Sequence, residues 1–285
     1  MRLNNKRVAY QGEPGAYSEA AALEFFGTPI TTVACHNFDS VFASVTAGEC
    51  DYGMIPIENS LAGSIHRNYD LLLRHDLQLV GEYHLRVSHC LLALPESSLT
   101  DIRIIHSHPQ ALAQCESNLR KMNIQQAAEA DTAGSARLIR EMNNLHAAAL
   151  ASRRAAEVYG LKILIENMED NPANYTRFLA LAPQLAAYIQ PINNNQYKTS
   201  IVFSLSNTPG SLFKALSVFA LRDIDLSKIE SRPIPGKTWE YMFYIDFIGH
   251  VQDPICERAI AHLQELAPFL RVLGSYPRHK IEEPD

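Results

Sequence analysis

The stretch Asn174-Tyr175-Thr176-Arg177-Phe178, with Leu179-Ala180-Leu181-Ala182 behind it, decides how the chain is read. β-Branched and aromatic residues lead into an apolar run. An acidic turn with Pro172 (Glu169-Asp170-Asn171-Pro172) precedes it and Pro183 follows, so the segment reads as a buried strand with a polar start. Strand alternation puts Thr176 and Phe178 on one face and Arg177 on the other. A buried polar group left unpaired costs about 1–3 kcal/mol. Two arrangements avoid that cost: a strand end hydrogen-bonded to a neighbouring loop, or a pocket that uses one hydroxyl donor and one cation.

Upstream, strands repeatedly run into polar helix starts. Arg7 to Tyr10 reads as a strand, followed by Gly12-Glu13-Pro14-Gly15-Ala16-Tyr17-Ser18-Glu19 and an Ala-rich helix to about Phe26. This layout aims backbone N–H groups at an anion, although the spacing is not that of a dinucleotide fingerprint. Thr31 to Ala34 is a second strand, and Asn37 caps a helix with Phe38, Val41, Phe42 and Val45 at helical spacing. Tyr52 to Ile57 is a buried strand that ends in Glu58-Asn59-Ser60, and Leu61 to His66 leads into another helix. Polar residues at a strand's carboxyl end, facing a helix start, are where open α/β sheets bind ligands. A turn that only caps the helix is the plainer alternative.

Gln78 to Leu94 reads as one long extended stretch or two abutting strands, and crosses to a second lobe. There Ile102 to His106 is a strand, and Ser107-His108-Pro109-Gln110 starts a helix, with Pro109 suited to its first position. That helix continues through Leu112, Cys115 and Leu119; Gln114 lies one turn beyond Gln110. A strand near Ala127 to Ala130 precedes the helix start Asp131-Thr132, and Ala147 to Ala151 and Arg153 to Tyr159 follow as strand and helix. The chain crosses out and returns at Thr176. The expected architecture is therefore a two-lobed α/β body (lobe one about 1–80 plus 170–185, lobe two about 85–168) with a cleft for a small, multiply charged anion. His106-x-His108 lacks a third ligand at matching spacing, so no metal is expected.

Composition narrows the classes. Lys+Arg number 25 against 31 Asp+Glu, and no basic run appears, so nucleic acid is not an expected partner. No apolar run approaches the roughly 20 residues of a membrane helix, and no secretory apolar segment is read at the start. Five scattered cysteines without paired spacing point to free thiols and a cytoplasmic location.

After an Asn-rich linker at 186–197, residues 198–276 read in the order β-α-β-β-α-β, a ferredoxin-like unit, with a tail at 277–285. Asn207-Thr208-Pro209-Gly210-Ser211 is a turn with helix-start chemistry, and one strand carries Glu230-Ser231-Arg232-Pro233.

Taken together, Gly12 to Ser18, Ile55 to Ser60, Ser107-His108-Pro109-Gln110, Asp131-Thr132-Ala133 and Thr176-Arg177-Phe178 resemble prephenate dehydratase, and the C-terminal unit resembles an ACT domain. The resemblance implies a periplasmic-binding-protein-like catalytic domain over 1–185 and a regulatory ACT domain. It implies loss of carbon dioxide and water from prephenate to give phenylpyruvate, without cofactor, on the way to phenylalanine. Thr176 then hydrogen-bonds the leaving oxygen. Glu58, Asn59, Ser60, Ser107, Gln114, Thr132, Arg177 and Phe178 are the implied substrate contacts. Phenylalanine is the implied effector, held at a subunit interface by Asn207, Gly210, Ser211 and Leu212 of one chain and Glu230, Ser231 and Arg232 of another, in a homodimer or homotetramer. No chorismate mutase helix is read before residue 7, so a monofunctional enzyme is expected. Leu61 to Asp70 also resembles arogenate dehydratases, which keeps arogenate as an alternative substrate. The competing class is a non-enzymatic two-lobed sensor, which would carry an export signal or a DNA-binding helical module; neither is read in the sequence.

Overall fold

β1 (Lys6–Gln11) buries Val8, Ala9 and Tyr10 and lies inside the first sheet. The computed structural model describes residues 5–27, 29–184, 197–234 and 236–280. Residues 186–196 of the expected linker (186–197) and 281–285 of the expected tail (277–285) lie outside the described residues. The chain divides into two compact units, Met1–Ile65 with Tyr83–Phe178, and His66–Glu82 with Leu179–Asp285.

Along the chain, β1 is followed by α1 (Tyr17–Phe26), β2 (Ile30–Cys35), α2 (Phe38–Thr46) and β3 (Tyr52–Asn59). The Asn37 side chain caps α2 by accepting from the Ser40 N–H at 2.9 Å, as its position predicts. β4 (Gly63–Ser64) folds back on β3, pairing Glu58 with Ser64 and Asn59 with Gly63, so a hairpin stands where the sequence reads only as an approach to the next helix. Next come α3 (His66–Arg74) and β5 (Leu77–Arg86). β1 pairs in parallel with β2 and β3. The strand read first from the sequence is β11 (Tyr175–Pro183), and the sheet order is β2-β1-β3-β11-β5.

The second sheet of the first unit holds β6 (Cys90–Ala93), β7 (Ile104–Ser107), β8 (Gln125–Ala128), β9 (Ala147–Ala151) and β10 (Lys162–Ile165), in the order β10-β6-β9-β7-β8. Its helices are α4 (Pro109–Gln114), α5 (Glu116–Met122), α6 (Thr132–Met142) and α7 (Arg153–Tyr159). All five residues of β9 are buried. Ala147, Ala149 and Ala151 pack with Ala136, Ile139, Ala155 and Ala156 of α6 and α7, while Ala148 and Leu150 pack with Ala111, Cys115 and Leu119. Small side chains on both faces let helices close in on both sides, the pattern of a strand inside an α/β sheet. Gly15 shows the same demand for closeness. Its φ is +91°, and a Cβ there would lie 2.7 Å from the Ala155 Cα. Ser152 Oγ donates to the Gly15 carbonyl at 2.6 Å and accepts from Ala155 N at 2.9 Å.

Two local readings change. The single helix expected through Cys115 is broken there into α4 and α5. Asp170 explains the break: its carboxylate accepts from Ser117 N at 2.9 Å and Asn118 N at 3.3 Å, while its own N–H donates to the Gln114 carbonyl at 2.8 Å. A distant carboxylate thus caps a new helix start where the sequence showed a continuous apolar face. The segment read only as the approach to β11 contains β10, which pairs antiparallel with β6.

In the second unit, β12 (Tyr197–Ser204), α8 (Ser211–Ala220), β13 (Leu226–Pro233), β14 (Tyr241–Ile248), α9 (Pro254–Leu266) and β15 (Phe269–Pro277) form the βαββαβ order expected. The antiparallel sheet runs β13-β14-β12-β15. Ile201, Phe203, Ile245 and Phe247 face α8 and α9 in one core. The opposite sheet face receives α3 and the start of β5. Tyr244 Oη donates to the Tyr69 carbonyl at 2.8 Å, and Arg271 donates to the Leu72 carbonyl. Arg232 grips Asp70 with two hydrogen bonds, at 2.9 and 3.3 Å. The sequence reading gave residues up to 80 to lobe one; in the structure 66–82 group with the C-terminal sheet. Among the described residues, no helix is long and apolar enough to cross a membrane.

Lys198 Nζ meets Glu82 Oε2 at 2.8 Å, with both side chains almost fully buried. Removing one partner of a buried pair leaves an uncompensated charge and costs about 3–5 kcal/mol. Lys198→Met is expected to lower unfolding stability by about that amount, and Lys198→Met with Glu82→Leu to recover most of it, as measured by urea denaturation.

Candidate active site

A cavity of about 400 Å³ opens in the first unit, within the size range of small-molecule sites. Its wall includes Tyr17 and Ser18 from α1, Asn59 from β3, Ser64 and Ile65, His89, Gln110 and Gln114 from α4, Asp131, Thr132 from α6, and Thr176 and Phe178 from β11. Thr176 and Phe178 line it and Arg177 does not, in keeping with strand alternation.

The hydrogen-bond order around Thr176 starts from backbone. Asn59 Oδ1 accepts from Leu61 N at 3.0 Å and Ala62 N at 2.9 Å. Backbone N–H groups cannot act as acceptors, so they fix which end of the amide faces them. Asn59 Nδ2 therefore points the other way. It donates to Asn174 Oδ1 at 2.8 Å, Thr176 Oγ1 at 3.0 Å and the Tyr175 carbonyl at 3.2 Å, two hydrogens shared among three acceptors. Because Thr176 Oγ1 accepts from Asn59, its own proton is available to the cavity.

The order continues. Asn174 Nδ2 donates to Gln114 Oε1 at 3.1 Å, and His89 Nε2 lies 3.0 Å from the same oxygen. His89 Nδ1 lies 2.8 Å from Tyr17 Oη, which is also 2.9 Å from the Ser88 carbonyl. The His89 backbone N–H donates to Glu169 Oε2 at 2.9 Å, and Arg86 Nη2 donates to Glu169 Oε1 at 2.9 Å, which holds the ring's backbone in place. Burial pushes the His89 pKa down and the Tyr17 pKa well up, so the ring favours its neutral form and the phenol keeps its proton. At the start of α1, Ala16 supplies no side-chain cap, so first-turn N–H groups beside Tyr17 and Ser18 remain for an anion. At α6, the Asp131 carboxylate takes Gly134 N at 2.6 Å.

The sequence matches the prephenate dehydratase family over residues 8–185. The chain belongs to that family. Residues 199–259 match the ACT domain. The chain is 51% identical over 280 residues to arogenate dehydratase/prephenate dehydratase 2, chloroplastic, of Arabidopsis thaliana, covering 95% of this chain and 72% of that protein. Among solved structures, GqqA, described as a novel type of quorum quenching acylase, is 36% identical with a TM-score of 0.89, covering 96% of this chain and 98% of its own. A prephenate dehydratase from Arthrobacter aurescens in complex with L-Phe is 33% identical with a TM-score of 0.85, covering 95% of this chain and 90% of its own.

Of the dehydratase residues expected from the sequence, Asn59, Gln114, Thr132, Thr176 and Phe178 line the cavity together. Ser107 does not reach it. That side chain is fully buried, and its hydroxyl donates to the Leu150 carbonyl at 2.6 Å. Ser60 stitches β3 to β11 instead, donating to the Ala173 carbonyl at 2.8 Å and accepting from Tyr175 N at 2.9 Å. Arg177 is buried, and Glu58, in register with Ser64, is not part of the wall. Sequence reasoning did not single out Tyr17, His89 or Asn174. Tyr17 stood inside a quoted motif, but nothing local marks His89 as its partner 72 positions away.

The expected effector residues fall on two faces of the ACT sheet. Glu230 is in register with Tyr244 and Arg232 with Met242, so both share the α3 face; Glu230 lies 3.3 Å from His66 Nε2. Ser231 is in register with Phe243 on the side of α8, where Gly210 caps the helix and Ser211 and Leu212 begin it. Asn207, Gly210, Leu212 and Ser231 are exposed.

Asn59→Asp keeps the shape but has no hydrogens to give to Thr176 or Asn174. Steady-state assay is expected to show turnover lower by about a hundredfold or more, the scale for losing one aligned donor.

Proposed function

We propose that this dehydratase converts prephenate to phenylpyruvate, with Thr176 as the group that assists the leaving hydroxyl. The bond from the ring carbon to the departing carboxylate breaks and its electron pair enters the ring. The hydroxyl leaves from the opposite carbon, and proton uptake completes water. Aromatisation supplies the driving force, so the protein's task is to hold a dianion and stabilise charge on the leaving oxygen. The observation that carries this reading is the hydrogen bond from Asn59 Nδ2 to Thr176 Oγ1, which makes the threonine a donor toward the cavity. Threonine is a weak acid by itself, and the amide against its oxygen strengthens it as a donor. Gln114, Thr132 and the first turn of α1 would hold the carboxylates, with Phe178 against the ring. Arg177 would act only through the strand that bears Thr176. Amide hydrolysis, the chemistry described for one structural neighbour, fits less well, since an amide N–H against Oγ1 cannot take a proton from a nucleophile.

Arogenate is the second reading. The relatives bearing that name favour it, and so does Asp131, whose carboxylate in the cavity wall suits the ammonium that arogenate carries in place of the keto oxygen. Turnover of the two substrates side by side separates the readings.

We keep the domain division at 1–185 and 198–276, a cytoplasmic location and a homo-oligomer as proposals; the five free thiols fit a reducing compartment. Phenylalanine is the proposed effector. The helix start at Gly210 to Leu212 of one chain would take its carboxylate and Ser231 of another would face it across the subunit interface, and Glu230 and Arg232, tied to His66 and Asp70, would pass the effect to α3.

Thr176→Ala is expected to abolish turnover, at least a thousandfold down, while a melting curve stays near that of the parent; formation of phenylpyruvate, followed by ultraviolet absorbance, checks it. Ser231→Ala is expected to raise the phenylalanine concentration for half-inhibition about tenfold, read from an inhibition curve.

A further inference from the structure

We infer that His89 is a positioning residue for the reaction: its Nε2–H locks the Gln114 amide so that the amide nitrogen, not the oxygen, faces the bound substrate. The inference rests on the reading of Gln114 as a substrate contact.

The argument is one of donors and acceptors. Considered alone, the Tyr17–His89–Gln114 chain has two self-consistent arrangements. In one, Nε2–H donates to the Gln114 oxygen, the single Tyr17 proton is shared between Nδ1 at 2.8 Å and the Ser88 carbonyl at 2.9 Å, and the Gln114 NH2 is left for the cavity. In the other, Nδ1–H donates to Tyr17, whose proton turns to the Ser88 carbonyl at 2.9 Å, and the Gln114 amide is reversed, with its oxygen toward the cavity. A dianion is repelled by the second and held by the first. The choice is made two side chains away. The N–H groups of Leu61 and Ala62 fix Asn59, Asn59 Nδ2 fixes Asn174, and Asn174 Nδ2 demands an oxygen at Gln114. His89 meets that same oxygen at 3.0 Å, so its Nε2 carries the proton. His89 is only 2% exposed and its N–H is held by Glu169, so the ring cannot swing out to relieve a mismatch. The side chain thus acts through Gln114 without itself carrying out a step.

Two measurements test this. Nitrogen-15 NMR of the wild-type imidazole is expected to show a protonated Nε2 and a bare Nδ1 at neutral pH; the opposite tautomer overturns the inference. In steady-state kinetics, His89→Leu is expected to lower kcat/KM about tenfold, the scale of one lost hydrogen bond. His89→Gln, which places an NH2 near the lost Nε2, is expected to restore most of it. Gln114→Ala added to His89→Leu is expected to cost little beyond Gln114→Ala alone. Fully additive losses, with Gln114→Ala impaired by itself, overturn the inference and leave the reading of Gln114 standing. An unimpaired Gln114→Ala removes both. If His89→Leu does not fold, the same cycle run with Tyr17→Phe decides: coupling to Gln114→Ala supports the lock, and strict additivity overturns it.

Discussion

Two backbone N–H groups set the chemistry of the cavity. Those of Leu61 and Ala62 are bound to Asn59 Oδ1, and backbone cannot reverse its polarity as an amide side chain can. Every later choice follows from that one: the Asn59 nitrogen faces Thr176 and Asn174, the Asn174 nitrogen faces Gln114, and the Gln114 oxygen is spent on His89. The consequence is that Thr176 and Gln114 both present hydrogens to the cavity. The carboxylates and the departing oxygen of a small anion meet donors that are already oriented, with no dipole to turn at the moment of reaction. The hairpin of β3 and β4 matters for the same reason, since it presents those two N–H groups at a fixed place beside the strand that bears Thr176.

Part of this was legible in the sequence because it depends on local period. Alternation along β11 places Thr176 and Phe178 on the cavity side and Arg177 on the other, and the polar strand ends mark where helices begin. What escaped depends on partners far along the chain. The break between α4 and α5 is made by Asp170, more than fifty positions from the N–H groups it caps. Ser107 looked like a ligand because it follows a strand and precedes a helix, yet β9 lies alongside β7 and its Leu150 carbonyl takes the hydroxyl. Ser60 likewise spends its hydroxyl on the start of β11. A hydroxyl at a strand's end is an equally good crosslink or ligand, and only the neighbouring strand decides which. His89 is the reverse case: a histidine after a crossover carries no local signal, and its role appears only once Tyr17 and Gln114 are brought to it.

The C-terminal unit raises a different question, because a segment numbered within the dehydratase region is grouped with it. α3 follows Ile65 in the chain, and Ala62 to Ile65 belong to the cavity wall. The contacts that hold α3, His66 Nε2 against Glu230 at 3.3 Å and the Asp70–Arg232 ion pair, use alternate residues of β13. Ser231, between them, points to the other sheet face, toward α8. On one strand Glu230 and Arg232 are therefore already engaged by α3, whereas Ser231 faces the α8 side of the sheet. If phenylalanine is the effector, this separates the residues that would touch it from those that would transmit its effect, a division that the contiguous Glu230-Ser231-Arg232 does not suggest. Such coupling requires that the effector bind two arrangements of the unit with unequal affinity. Partly exposed pairs suit that role, since surface ion pairs are worth about 1 kcal/mol or less and can be exchanged, whereas the fully buried Lys198–Glu82 pair is too costly to break and would keep β5 fixed to the sheet throughout.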